Sequence, residues 1–166
     1  ALPIFPENVA RIRRNIELNG LANVTVVQAA VIDSEREVVF YQHESVSMGK
    51  AEGSAGRNDL TYKNNISVSG LSLDNFIEKG NPLPDVIKVD IEGGEVMAIP
   101  GMRGLLKKAH PILMLELHGT ESEKVAWDEL TALGYSLFKM EEGYKPITSM
   151  ADMGWKAYVL AIPKGS

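Results

Sequence analysis

The sequence predicts an α/β domain built on a largely parallel sheet with an antiparallel C-terminal edge. Two observations carry this. Strand-length apolar runs at residues 24–31, 85–89 and 112–117 alternate with segments whose apolar residues recur at helical spacing. Such alternation marks strands joined by crossover helices. The last two apolar runs, residues 135–140 and 156–162, are joined by a turn-rich segment with no helical period. A connection of that kind returns the chain antiparallel.

The elements follow in order. Pro6 suits a first helical turn, and Val9, Ile12 and Ile16 form one stripe behind it. Gly20 ends this helix, and Leu21 stands where a closing apolar contact is usual. Residues 24–31 are β-branched and almost continuous, which reads as a buried strand. Asp33-Ser34-Glu35-Arg36 turns the chain into a second strand over residues 38–41. Residues 42–65 carry glycines, serines and mixed charge without a period. They read as a long loop of the sort that is usually functional or mobile in compact domains. Ile66-Ser67-Val68-Ser69 alternates like an edge strand, and residues 71–79 read as a short helix capped by Ser72. Asn81-Pro82-Leu83-Pro84 leads into a buried strand that ends at Asp90 and turns at Gly93-Gly94 into a helix start. Residues 102–109 are predicted helical, and His110-Pro111 stops them. Residues 112–118 form a second buried strand, and residues 121–133 an amphipathic helix closed by Gly134.

Composition bounds the function. Hydrophobic residues make up 45% and charged residues 23% of 166, the balance of one ordinary globular domain spanning residues 1–166. The net charge is −5 with scattered lysines and arginines, so no basic surface for nucleic acid is expected. The chain has no cysteine, which excludes disulfides and thiolate-bound metal. No apolar run reaches the roughly 18–20 residues that span a bilayer. The N-terminal Ala1-Leu2-Pro3-Ile4-Phe5-Pro6 lacks a basic segment and a long apolar one. A cytoplasmic protein is the expectation.

In open α/β sheets ligands bind beyond the carboxyl ends of the strands. Two predicted strands end in ionisable residues: one at Asp90 with Glu92 two residues on, the other at Glu116 and His118. Residues two apart in an extended segment point the same way, so each pair aims at one site. A carboxylate–histidine cluster there suits general-base work on a hydroxyl or ligation of a hard metal ion, and no metal is assigned. Each residue also has a plainer reading. Asp90 caps the next helix, Glu92 sits at its positive end, and Gly93-Gly94 merely allows a tight turn. Glu116, inside an apolar run, needs a partner or a role, because a lone buried charge is costly. His43 and His110 read as structural, and Trp127 and Trp155 as core or rim aromatics.

The stretch Val86-Ile87-Lys88-Val89-Asp90-Ile91-Glu92-Gly93-Gly94-Glu95 resembles the "IKIDVEGAE" signature of FkbM-type methyltransferases. The resemblance is collinear from about residue 5 onward. Pro6-Glu7-Asn8 and Arg13-Arg14-Asn15-Ile16-Glu17-Leu18-Asn19-Gly20 are similar to the family's helix after its second strand. Val26-Val27-Gln28-Ala29-Ala30-Val31 resembles its third strand and the turn that follows. Leu71-Ser72-Leu73-Asp74 is similar to its "TLD" segment, and Pro111 through Glu116-Leu117-His118 to its fifth strand. The resemblance implies a Rossmann-like class I sheet that uses S-adenosylmethionine to methylate a hydroxyl of a small molecule, sugar or lipid. It places Asp90, Glu92, Glu116 and His118 at the catalytic end, and Pro3, Gln28, Ala29, Ala30 and Asp90 along the cofactor. It also implies a first strand and a glycine-rich loop upstream of the position where this sequence starts. The family's ribose-holding carboxylate falls by register at about Pro3.

Two other readings compete. A nicotinamide oxidoreductase on a similar sheet needs a G-x-G-x-x-G fingerprint, which the sequence lacks. A non-catalytic remnant or interaction module that keeps the fold without the cofactor fits the absent glycine loop. Neither the acceptor, a metal requirement nor the oligomeric state is legible in the residues.

Overall fold

The computed structural model describes residues 4–43, 49–55, 61–154 and 156–165. The chain opens with α1 (Pro6–Leu18), which starts on the expected proline and buries Val9. It closes as a Schellman turn: Gly20 N–H donates to Glu17 O at 3.2 Å, and Leu21 N–H to Ile16 O at 3.0 Å. Gly20 takes φ +60°, the left-handed conformation this turn requires. Leu21 itself is exposed rather than packed.

Strands β1 (Ala30–Val31), β2 (Glu37–Gln42), β3 (Lys50–Ala51) and β4 (Asn64–Leu71) form a four-stranded sheet in the order β1-β4-β2-β3. Helix α2 (Leu73–Glu78) follows, capped as expected by the Ser72 hydroxyl, which accepts from Asn75 N–H at 3.2 Å. Strand β5 (Val86–Val89) leads into α3 (Glu95–Ala98), a single 3-10 turn at Pro100–Met102, and α4 (Arg103–Ala109). Then come β6 (Ile112–His118), α5 (Thr120–Ala132), β7 (Tyr135–Lys139), β8 (Pro146–Ile147) and β9 (Lys156–Pro163). The second sheet has five strands in the order β5-β6-β9-β7-β8.

The result is a mixed α/β fold that departs from a largely parallel sheet. Among the described residues only β1–β4 and β5–β6 pair parallel, and every other pair is antiparallel. Apolar strand runs report burial, and burial does not fix direction. The antiparallel C-terminal edge is present in β6-β9-β7-β8. The run at residues 24–31 yields only the two-residue β1, and Val24 is exposed. Its pairing with β4 begins at Ala30 opposite Gly70, so the preceding residues gain no ladder. Residues 66–69 belong to β4, which lies between β1 and β2 and is not an edge. The alternating pattern there records one solvated face, not an open side.

Two apolar clusters hold these sheets. Phe5, Ile32, Val38, Phe40 and Val68 gather under the first, with Phe5 and Phe40 edge to face at 4.9 Å. Leu113, Leu115, Leu117, Val159 and Ala161 of the second sheet share a core with Leu106, Ala126 and Leu130. Helix α3 sits at the seam, since its Met97 joins the first cluster and its Ala98 the second. Trp127 packs partly buried against the second core, while Trp155 lies outside the described residues. His110 takes φ +48° at the end of α4, and no helix among the described residues is long and apolar enough to cross a membrane.

β5 pairs only with β6 among the described residues. Its other side faces a groove of about 480 Å³ lined by Val31, Leu73, Val86, Val89, Asp90 and Met102, among others.

Candidate active site

Parallel pairing of β5 with β6 aligns Val89 with Leu115. Asp90 and Glu116, one step further on each strand, therefore emerge side by side at the carboxyl ends. The alternation of β6 turns Leu113, Leu115 and Leu117 into the core and leaves Met114, Glu116 and His118 on the opposite face. Beyond Asp90 the chain turns sharply through two left-handed residues, Glu92 at φ +53° and Gly93 at φ +93°. Gly93 takes this conformation freely, whereas for Glu92 it costs about 1–2 kcal/mol. The turn points Glu92 back over β6, and its Oε2 lies 3.7 Å from His118 Nε2. All four residues singled out as catalytic candidates, Asp90, Glu92, Glu116 and His118, are thus brought to one place.

His118 is the centre of the arrangement and is only 6% exposed. Its Nδ1 lies 3.4 Å from Glu95 Oε1. Glu95 is fully buried, and its carboxylate also accepts Ile91 N–H at 3.1 Å and the Ser122 hydroxyl at 3.0 Å. With three donors converging on it, Glu95 acts as acceptor and fixes the hydrogen on Nδ1. His118 Nε2 then faces Glu116 Oε1 at 3.4 Å and Glu92 Oε2 at 3.7 Å. It is buried and makes no hydrogen bond among the described residues. The hydrogen bond that His118 donates to Glu95 raises its pKa above the ordinary value, against burial, with the charges of Glu95, Glu92 and Glu116 assisting.

Two lysines balance the carboxylates. Lys88 Nζ lies 2.9 Å from Asp90 Oδ2, and Lys156 Nζ 2.5 Å from Glu116 Oε1. The Tyr158 hydroxyl also reaches Glu116 Oε1, at 3.5 Å. The bond to Glu116 pushes the Lys156 ammonium well above the ordinary lysine value, so it stays charged. Asp90 does not cap α3: the N-cap is Gly94, without a side-chain hydrogen bond. Glu95, Ser122 and Lys156 were not singled out from the sequence. Glu95 closes the quoted signature and was the one with a signal. Ser122 and Lys156 reach the site from α5 and β9, and no local pattern marks them.

Within residues 42–65, residues 44–48 and 56–60 lie outside the described residues. The described pieces are mixed, with residues 52–53, 61 and 63–65 exposed. Ala51 and Ala55 are buried, and Ala55 N–H donates to Gly93 O at 2.9 Å. This segment therefore abuts the turn that carries Glu92.

The residues expected along the cofactor are placed less favourably. Gln28 Nε2 donates to Ile4 O at 3.0 Å, and Ala29 and Ala30 are buried. Pro3 lies outside the described residues. Asp90, paired with Lys88, lines the end of the apolar groove beside β5.

A parallel β5–β6 unit that converges carboxylates and a buried histidine on its carboxyl end is the arrangement of an α/β enzyme. Residues 4–137 match the family model described as Methyltransferase FkbM domain. The chain belongs to this FkbM methyltransferase family. Its fold is similar to the crystal structure of Methyltransferase FkbM from Methylobacillus flagellatus KT, at 15% sequence identity and a TM-score of 0.56. That match covers 96% of this chain and 34% of the other, so the chain spans about a third of that protein's length. No curated protein sequence matches closely enough to count as a relative.

Proposed function

We propose that this domain serves S-adenosylmethionine-dependent methylation of a hydroxyl on a small molecule, sugar or lipid. Family membership supports methyl transfer, and the parallel β5–β6 unit with its antiparallel neighbour β9 supports a Rossmann-like sheet. The donor, when bound, supplies an electrophilic methyl group on a sulfonium. The chain's own residues handle the acceptor. The observation that carries the reading is the buried His118 Nε2, held by Glu95 and turned toward Glu92 and Glu116. A hydroxyl entering between these groups donates its hydrogen bond to Glu92 or His118 and loses its proton there. Lone pairs fixed before the substrate arrives need no reorganisation during reaction. Lys156 stands against Glu116 beside them.

The test is transfer of labelled methyl from S-adenosylmethionine to hydroxylated acceptors by the protein at its full natural length, with product identified by mass spectrometry. Ether products support the reading. Methylation confined to nitrogen or carbon, or none across sugar, lipid and phenolic acceptors, overturns it.

A further inference from the structure

We infer that Asp90, Glu116 and His118 form a binding site for one divalent metal ion of the magnesium and manganese class. One ligand atom from each of these residues lies within 4.8 Å of the others. Ligands about 2.1 Å from one such ion lie about 3.0 Å apart when adjacent and about 4.2 Å when opposite, so side-chain shifts of about 1 Å close the set. Acidic clusters are common without an ion. The independent observation is the histidine. His118 is 6% exposed and its buried Nε2 has no hydrogen bond among the described residues. That atom faces carboxylate oxygens of Glu116 at 3.4 Å and Glu92 at 3.7 Å and forms a hydrogen bond to neither. A cation at Nε2 has Asp90 and Glu116 within reach as its other two ligands. Behind the ring, Glu95 on Nδ1 supplies the outer carboxylate that orients metal-binding histidines and raises their donor strength.

The donor set selects the class of ion. Two carboxylates and one imidazole, part of the site open to water, suit a hard or intermediate ion that keeps water ligands. With no cysteine in the chain, thiolate-seeking ions gain nothing here. Lys88 on Asp90 Oδ2 and Lys156 on Glu116 Oε1 are the competitors, and each holds one oxygen of its carboxylate. In the proposed function such an ion takes the acceptor oxygen as a ligand and lowers the pKa of its hydroxyl. The inference rests on that function only for the ion's role, not for its binding.

Manganese alone is the probe. Residues 1–166 are stripped with EDTA, desalted and titrated, and free Mn²⁺ is read from its paramagnetic resonance signal. We expect one ion per chain with a Kd of about 10⁻⁴ M or tighter. Asp90→Asn, Glu116→Gln and His118→Gln should each weaken it at least about tenfold, and Glu95→Gln by about tenfold. Lys156→Met should tighten it, because the competing ammonium is gone. Glu121→Gln, in the first turn of α5 and outside this ligand set, should leave it unchanged. If His118→Gln fails to fold, the wild-type titration and the Asp90, Glu116 and Lys156 variants decide. No binding up to about 1 mM Mn²⁺, or binding that survives the ligand substitutions, overturns the inference. Stoichiometric binding by a full-length protein that methylates nothing overturns the proposed function alone. Ether formation undiminished by EDTA, with no Mn²⁺ bound, overturns the metal site alone.

Discussion

Glu95→Ala removes the one carboxylate on which the site is hung. Ile91 N–H at 3.1 Å, the Ser122 hydroxyl at 3.0 Å and His118 Nδ1 at 3.4 Å all lose their acceptor in a place with no solvent exposure. Each buried donor left unpaired costs about 1–3 kcal/mol, and the Ser122 hydroxyl can turn to recover part of this. Removing one member of a buried charged cluster costs about 3–5 kcal/mol, which agrees, so we expect a loss of about 4 kcal/mol. Glu95→Gln keeps an oxygen toward Ile91 and His118 and presents an amine that Ser122 can accept. Its cost should be about 1–2 kcal/mol. Urea denaturation of residues 1–166 measures both. With an m-value of about 2 kcal/mol/M, the alanine midpoint falls by about 2 M and the glutamine midpoint by less than about 1 M. An alanine variant within about 1 kcal/mol of wild type, or a glutamine variant as damaged as alanine, refutes the assignment of Glu95 as the hub.

Other consequences are open to simple measurement. Glu123 is buried with Oε1 unpartnered among the described residues, and burial pushes its carboxyl above the ordinary value. An acid raised on folding is no burden below its unfolded pKa and becomes one as pH rises through the folded value. Glu123→Gln should therefore raise the melting temperature at pH 8, by about 1 kcal/mol of stability, and hardly change it at pH 3.5. A Cβ on Gly101 would stand 2.2 Å from Ile32 O and 2.9 Å from Asp33 Cα. Gly101→Ala should cost about 1–3 kcal/mol by chemical denaturation, through strain where the 3-10 turn meets the first sheet. Residues 1–166 should bind S-adenosylmethionine more weakly than about 1 μM by calorimetry, since Gln28 is engaged with Ile4 and Ala29 and Ala30 are buried.

Much of the site's layout was legible because it is local. Two apolar runs that end in Asp90-x-Glu92 and Glu116-x-His118 needed only a parallel pairing to meet, and β5–β6 supplies it. The boundaries of β6 and the Ser72 cap were legible for the same reason. What failed depended on partners far along the chain. Residues 24–29 have the side chains of a strand, but among the described residues the ladder begins only at Ala30. The antiparallel majority of the sheets comes from returns such as β4 onto β2, which no residue pattern encodes. Glu95 stood in view at the end of the signature. Its importance comes from Ser122 and His118, which reach it only once α5 and β6 are packed.

Methyl transfer by Glu116→Gln in the full-length protein tests the central claim most directly. Glu116 is partly exposed and touches Lys156, Tyr158 and His118, and glutamine keeps an oxygen for them, so the variant should lose no more than about 1–2 kcal/mol of stability. The account predicts that its kcat/KM for ether formation falls by about 10²-fold or more while the melting temperature stays near that of wild type. Wild-type kcat/KM in a correctly folded Glu116→Gln protein would contradict the claim that the carboxyl ends of β5 and β6 receive the acceptor.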